Sequence, residues 1–457
     1  MAKSRTPVVF SSLVAALGGL LFGFDTAVIS GTTESLQRVF VLNDFWLGFA
    51  VASALIGTIV GAFTVGKPAD AIGRKRTLLA MAVLYFVSAL GTALAQSLTQ
   101  FALFRFIGGL AIGGASVVAP MYIAEISPAR LRGRLVELNQ LNIVSGIVLA
   151  FLSNYLIAQL VGGGEAWRWM LGVMAAPSAL FFAFLFFIPE SPRWLVKAGR
   201  AAEARAVLER VGEDDLEAEM TEITASLTDD GVGGDRLFQR RYLKVMLLAV
   251  AIAMLNQLSG INAMLYYAPR IFQMAGAGAN MALAQAVAVG GTNLVVTIVA
   301  WFLIDRIGRR PLLFVGGIGA TVSLVLMALG FGAAHAGSLV LAGAIGLVAS
   351  HAIGQGAVIF VFISEIFPNR VRANGQALGT LTHWVMAAAV SWTFPVVAAA
   401  SGSMAFAFFA AMMLIQIVFA WKIMPETKGA SLEELEVKLG IAAPALARAE
   451  TGLHQPR

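Results

Sequence analysis

The sequence predicts an all-α membrane protein of twelve transmembrane helices, arranged as two pseudo-symmetric six-helix bundles with short cytoplasmic helices. Three observations carry this prediction. Only 13% of the 457 residues are charged while 58% are hydrophobic, against roughly a quarter charged in a typical soluble chain. Those charges are bunched, leaving long runs with none. Finally, three polar motifs recur at a nearly constant displacement, which marks an internal duplication.

Taken in order, the uncharged runs 6–24, 45–66, 77–104, 106–124, 138–164, 169–189, 245–269 and 271–304 each lie near the ~20 residues that a bilayer-spanning helix needs. Runs 311–364 and 373–421 are too long for one passage. Turn-like Gly337-Ser338 and Ser401-Gly402-Ser403 divide each into two, giving twelve spans and placing both termini on one side. With that side cytoplasmic, only Arg38, Arg168 and Arg270 lie outside and Arg105 within a span, so 28 of the 32 Lys and Arg residues fall inside. This positive-inside pattern accounts for the net charge of +6 without a nucleic-acid patch. Lys3 and Arg5 before an apolar stretch resemble the start of a signal peptide, but no A-x-A-like cleavage site follows. The stretch reads as the first span.

The duplication is explicit in the polar connections. Asp70 and Gly73-Arg74-Lys75-Arg76 recur as Asp305 and Gly308-Arg309-Arg310-Pro311; Glu125-Ile126-Ser127-Pro128 with Arg132 recurs as Glu365-Ile366-Phe367-Pro368 with Arg372; Pro189-Glu190-Ser191-Pro192 recurs as Pro425-Glu426-Thr427-Lys428. The expected organisation is an N-terminal six-helix bundle at 1–189, a cytoplasmic linker at 190–241, a C-terminal six-helix bundle at 242–424 and a cytoplasmic tail at 425–457. Ala201 to Arg210 and Leu432 to Leu439 have the composition of short amphipathic surface helices. In duplicated carriers of this kind, substrate sits near the midplane and one half rocks against the other.

The same composition excludes several function classes. There is no cysteine and there are four histidines, which removes thiolate chemistry and leaves little for a metal centre. Neither G-x-x-x-x-G-K-[ST] nor H-E-x-x-H occurs, so no enzyme, cofactor or metal is expected. The partners implied are the bilayer and a transported solute, with one chain sufficient as a monomer. The repeated acids and bases at the cytoplasmic ends, Asp70, Arg74, Glu125, Arg132 and Glu190 with Asp305, Arg309, Glu365, Arg372 and Glu426, are candidates for an inner gate. Carboxylates contribute little to topology, whereas ion pairs that form and break bias a two-state equilibrium. The alternative is simple topogenic charge.

Over Gly18 to Leu435 the chain resembles the sugar porter family of the major facilitator superfamily, through Gly66 to Arg76, Pro120-Met121-Tyr122-Ile123-Ala124-Glu125, Arg132-Gly133, Pro189-Glu190-Ser191-Pro192-Arg193-Trp194-Leu195, Gln257-Leu258-Ser259-Gly260-Ile261-Asn262 and Pro425-Glu426-Thr427-Lys428-Gly429. The resemblance implies the major facilitator fold and a monosaccharide carrier of the cell membrane, with its sugar site between the halves.

Asp25 stands out, because an intramembrane carboxylate is costly and marks a functional site. At 1.5 Å per residue it lies about 9 Å from the outer end of the first span, and Arg105 lies about 8 Å into the fourth. A carboxylate that alternately meets and leaves an arginine binds and releases a proton; a static ion pair is the alternative. Proton-driven members of the resembling family carry an acid where Asp25 stands, which points to symport, with facilitative uniport as the alternative and a nontransporting sensor as a third reading. A signalling tail longer than residues 425–457 would be expected of a sensor.

A sugar needs groups that both donate and accept, with aromatic surface beside them. Gln140, Asn256, Gln257, Asn262 and Asn293 supply amides, and Tyr266, Tyr267 and Trp384 supply rings; each has interhelical packing as its alternative. The resemblance favours Gln140, Gln257 and Asn262 among them, and Phe22 and Gly356 complete the candidate set. Phe360 stands where the resembling glucose carriers have Trp, His383 where they have Asn or Gln, and His351 where a stacking aromatic is frequent. His351 and His383 together are similar to fructose-selective members, so the substrate reads as a hexose such as glucose or fructose, or a pentose. Each histidine has proton carriage or packing as its alternative.

Overall fold

The computed structural model describes residues 6–212, 215–229, 236–332, 337–429 and 432–441, and its regular elements are all helical. Twelve helices are long and apolar enough to cross a membrane: α1 (Thr6–Gly31), α2 (Asp44–Thr64), α3 (Arg74–Leu94), α4 (Leu98–Ile126), α5 (Arg130–Leu160), α6 (Ala166–Leu185), α7 (Arg240–Met274), α8 (Ala279–Ile304), α9 (Arg309–Gly330), α10 (Gly337–Ile366), α11 (Asn369–Ala400) and α12 (Gly402–Lys422). The expected breaks in the two long runs are present. Ser401 caps α12 by accepting a hydrogen bond from the Met404 N–H, which satisfies an orphan donor of the first turn. Within the 77–104 run α3 ends at Leu94, and Ser97 caps α4 through the Gln100 N–H, so the fourth helix opens at Leu98, near the start from which the depth of Arg105 is counted.

Two compact units are present. The first comprises Met1–Val232, Leu265–Leu294 and Ser391–Ala399, and the second Gly233–Met264, Val295–Val390 and Ala400–Arg457. The boundary between them therefore cuts through α7, α8 and α11.

In the first unit, helices meet through glycines. A Cβ at Gly109 of α4 would lie 2.0 Å from the Ala54 carbonyl oxygen of α2, and one at Gly57 of α2 would lie 2.2 Å from that of Phe106. Small residues at this spacing let backbones touch where lipid offers no hydrophobic drive for association. Between α1 and α5 the same device is reciprocal: a Cβ at Gly23 would sit 1.8 Å from the Ile143 carbonyl oxygen, and one at Gly146 would sit 2.0 Å from that of Leu20. These contacts fix the depths of α1 and α4. Near the start of α2, Arg270 reaches Asp44 Oδ1 at 2.7 Å through Nη2 and Gln37 Oε1 at 2.7 Å through Nη1. The Tyr267 hydroxyl donates to the Ser391 carbonyl at 2.8 Å.

In the second unit, the core is built from Ile252, Leu313, Val358, Phe362 and Phe367 among others. α7 breaks at 258–260 between its pieces Leu243–Gln257 and Ile261–Met274, as the Ser259-Gly260 step suggests, and Gly260 takes φ +78°, a conformation side chains rarely allow. α10 contains a π-helical stretch, Ala352–Gly356, a distortion found mainly at functional positions. The linker supplies surface helices Pro192–Lys197, Ala201–Val211 and Leu216–Asp229, and the tail supplies Leu432–Leu439. Ala204, Leu208 and Val211 form the buried stripe of the second of these, as its periodicity requires.

Candidate functional site

In the first unit α1 and α4 bring their two charges together. Arg105 Nη1 donates to Asp25 Oδ1 at 2.5 Å, and the residues are 2% and 3% exposed. An ion pair this enclosed depends on its partner, because removing one charge strands the other at a cost of about 3–5 kcal/mol. Arg105 Nε and Nη2 have no hydrogen-bond partner among the described residues, so Asp25 carries nearly all the compensation. Tyr85 and Tyr266 lie within electrostatic range of the carboxylate, and Tyr266 is hydrogen-bonded to Thr26.

The second unit assembles a neutral network at the α7 break. Gln257 Nε2 donates to Asn256 Oδ1 at 2.8 Å and approaches both ring nitrogens of His383, at 3.1 and 3.2 Å, while Asn262 Nδ2 donates to Gln257 Oε1 at 2.7 Å. Gln257 is thus the hub. Phe360 and Trp384 flank the His383 ring at centroid distances of 5.3 and 5.1 Å, and His351 lies within electrostatic range of it. Amides, imidazoles and an exposed phenyl face together offer donors, acceptors and an apolar surface for a polyhydroxylated ring.

The repeated acids and bases form the same cluster twice, at corresponding helix ends. In the first unit, Arg74 grips Glu125 with Nε and Nη2 at 2.9 and 3.0 Å and Asp70 with Nη1 at 3.0 Å, while Ser191 donates to Glu125 at 2.5 Å. In the second, Arg309 grips Glu365 at 3.3 and 2.9 Å, and Thr427 donates to Glu365 at 2.5 Å. Glu190 accepts the Lys75 N–H at 3.0 Å, and Glu426 accepts those of Arg309 and Arg310 at 3.1 and 3.0 Å, so each carboxylate covers a helix N-terminus. Gly73 (φ +97°) and Gly308 (φ +105°) make the approach possible, since a Cβ there would meet Glu190 Oε2 at 2.3 Å and Glu426 Oε2 at 2.9 Å. Burial pushes the Glu426 carboxyl up, but four backbone N–H groups outweigh it and hold the group below the ordinary glutamate value. Burial likewise raises Asp70, and Lys197 with Arg74 outweighs that.

A model of the family described as "Sugar (and other) transporter" matches residues 11–439. The chain is 38% identical over 470 residues to the D-xylose-proton symporter of Escherichia coli (strain K12), which covers 94% of this chain and 95% of that one. It belongs to the sugar transporter family. This transporter is also 38% identical over 452 residues to the glucose transport protein of Synechocystis, covering 94% and 97% of the two chains. Its fold matches the partially occluded inward open conformation of the xylose transporter XylE from E. coli with a TM-score of 0.84 and 35% identity, over 93% of this chain and all of that one. The transporter is accordingly a multi-pass membrane protein of the major facilitator fold, and a carrier rather than an enzyme.

The remaining candidates of the transporter are dispersed. Gln140 is exposed on α5, Phe22 is half-buried on α1, Asn293 is buried on α8, and Gly356 is exposed at the end of the π-helical stretch. Tyr267 is wholly buried against Phe394, so it packs instead of presenting aromatic surface. Arg132 and Arg372 stand outside the repeated clusters: Arg132 Nη2 lies 3.8 Å from Glu219 of the linker, and Arg372 Nε donates to the Phe367 carbonyl at 3.3 Å. The side chain of Asp305 lies outside the described residues. Sequence reasoning missed Gln355 and Gln416, which are buried and hydrogen-bonded to each other; a glutamine inside an uncharged span was the available signal. It also missed the Gln37, Asp44 and Arg270 cluster, in which Arg270 lies too far along the chain from the other two to be paired with them.

Proposed function

We propose that this transporter carries a monosaccharide, a pentose or a hexose, into the cell by proton symport through alternating access. The enclosed Asp25–Arg105 pair carries the reading. Protonating Asp25 removes the charge that compensates Arg105, and the resulting difference of a few kcal/mol is of the size needed to bias two conformations. The proton and the sugar then act on one equilibrium. The xylose-proton symporter relative supports the coupling, and the relatives named for xylose and glucose support a pentose or a hexose as the substrate. The neutral network of Asn256, Gln257, Asn262, His383, Phe360 and Trp384 is assigned to the sugar, with Gln140, Asn293, Phe22, Tyr266, His351 and Gly356 as further contacts. The inner clusters of Arg74 and Arg309 act as latches, and the termini are cytoplasmic.

Reconstitution in liposomes with counterflow of glucose, fructose, xylose, galactose and inositol identifies the sugar, after which an imposed proton gradient tests coupling. Accumulation accompanied by alkalinisation of the proton-donating side is expected. Exchange that never proceeds uphill would establish the second reading, facilitative uniport, which the Synechocystis relative named only as a glucose transport protein leaves in play.

A further inference from the structure

The sugar reading does not use the polar chain behind His351. His351 Nδ1 lies 3.0 Å from Gln355 Oε1, Gln355 Nε2 donates to the Leu255 carbonyl at 3.2 Å and to Gln416 Oε1, and Gln416 Nε2 donates to the Leu313 carbonyl at 3.4 Å. The backbone carbonyls of Leu255 and Leu313 are acceptors only. They therefore fix which end of each amide faces which way, because a flipped Gln355 would set its oxygen against the Leu255 oxygen. With Gln355 so fixed, only an acceptor meets His351 Nδ1, and that nitrogen must carry the proton.

We infer that Gln355, anchored by Leu255 and Gln416, is a positioning residue that holds His351 in its Nδ1–H tautomer and so presents Nε2 as a hydrogen-bond acceptor to one hydroxyl of the transported sugar. A neutral imidazole has one donor and one acceptor, and the partner of one nitrogen decides the role of the other. Among the described residues Nε2 has no hydrogen-bond partner, and His351 is only half-buried, so it is open to a ligand. Gln355 follows His351 by four residues, the spacing at which side chains on one helix face meet, and lies in the π-helical stretch Ala352–Gly356 of α10. Asn256, Gln257 and Asn262 already supply mixed donors and acceptors, and His351 adds a group of fixed polarity. It discriminates between sugars that present a hydroxyl there and those that do not. The hydroxyl assignment rests on the sugar-transport reading, whereas the tautomer does not.

Nitrogen-15 spectra of histidine-labelled wild type in lipid nanodiscs, assigned with His351→Gln, test the tautomer directly: a protonated Nδ1 and a bare Nε2 are expected, and a protonated Nε2 overturns the proposal. Gln355→Met, close in volume, should release the tautomer, and Gln416→Leu should do so partially if Gln355→Met fails to fold. In counterflow with a series of monodeoxy sugars, the wild type should lose about five- to tenfold in affinity for one member, the expected worth of a single hydrogen bond. Gln355→Met should lose that discrimination with maximal rate and proton coupling retained. Unchanged spectra and unchanged discrimination in both variants would refute the assignment. If no sugar exchanges at all, the transport reading fails, while the spectra still decide the tautomer.

Discussion

The polar centres of the two compact units differ in kind, although the chain is a duplication. At corresponding helix ends the units keep the same device, an arginine gripping a glutamate at 2.9 Å with a hydroxyl from beyond the sixth span of the repeat completing it. Mid-membrane they diverge. The first unit encloses a charge pair with no water-facing margin, and the second holds a neutral network around Gln257. On the proposed reading, duplicated segments stay alike where they do the same work and part where one answers to a proton and the other to hydroxyl groups.

Four experiments test this contrast. The largest effect is expected for Asp25→Asn: counterflow persists, while accumulation under a proton gradient falls to the equilibrium ratio. Gln257→Ala should do the reverse, raising the apparent KM by about ten- to a hundredfold because Asn256, Asn262 and His383 lose their shared partner, with proton coupling per sugar retained. In the repeated clusters, Arg74→Ala should lower thermal stability in detergent more than Arg309→Ala does. Arg74 and Glu125 are 8% and 11% exposed against 12% and 28% for Arg309 and Glu365, and a stranded charge costs more when buried; about 1–3 kcal/mol is expected for the first. The smallest effect concerns pH. Asp70 has its carboxyl held down in the folded state, so its contribution is complete above the unfolded value near pH 4 and is lost as pH falls through the lower folded value. Asp70→Asn should flatten melting temperature against pH in that acid range, by less than about 1 kcal/mol because the pair is exposed.

Much of this was legible in the sequence because charge is rare in it. Twelve spans follow from where Lys, Arg, Asp and Glu are missing, and the meeting of Asp25 with Arg105 follows from counting residues along two helices of opposite direction. The α7 break is visible in Ser259-Gly260. What could not be read depends on neighbours remote in the chain. Arg270 finds Asp44 across 226 positions, Gln355 finds Gln416 through a π-helical turn that no composition announces, and Arg132 turns to a linker helix. Glu190 and Glu426 were recognisable as repeated acids, but their bonding to backbone N–H groups requires the left-handed glycines opposite them.

That last arrangement bears on biosynthesis. Glu190 and Glu426 follow the sixth span of their repeats, yet they close the first turn of the third. While the ribosome is still making the intervening three spans, that turn has its amides bare. Each repeat therefore completes that helix end only when its final residues emerge, and a chain halted just short of Glu190 would leave six helices in the membrane, and one halted just short of Glu426 twelve, with an unsealed seam.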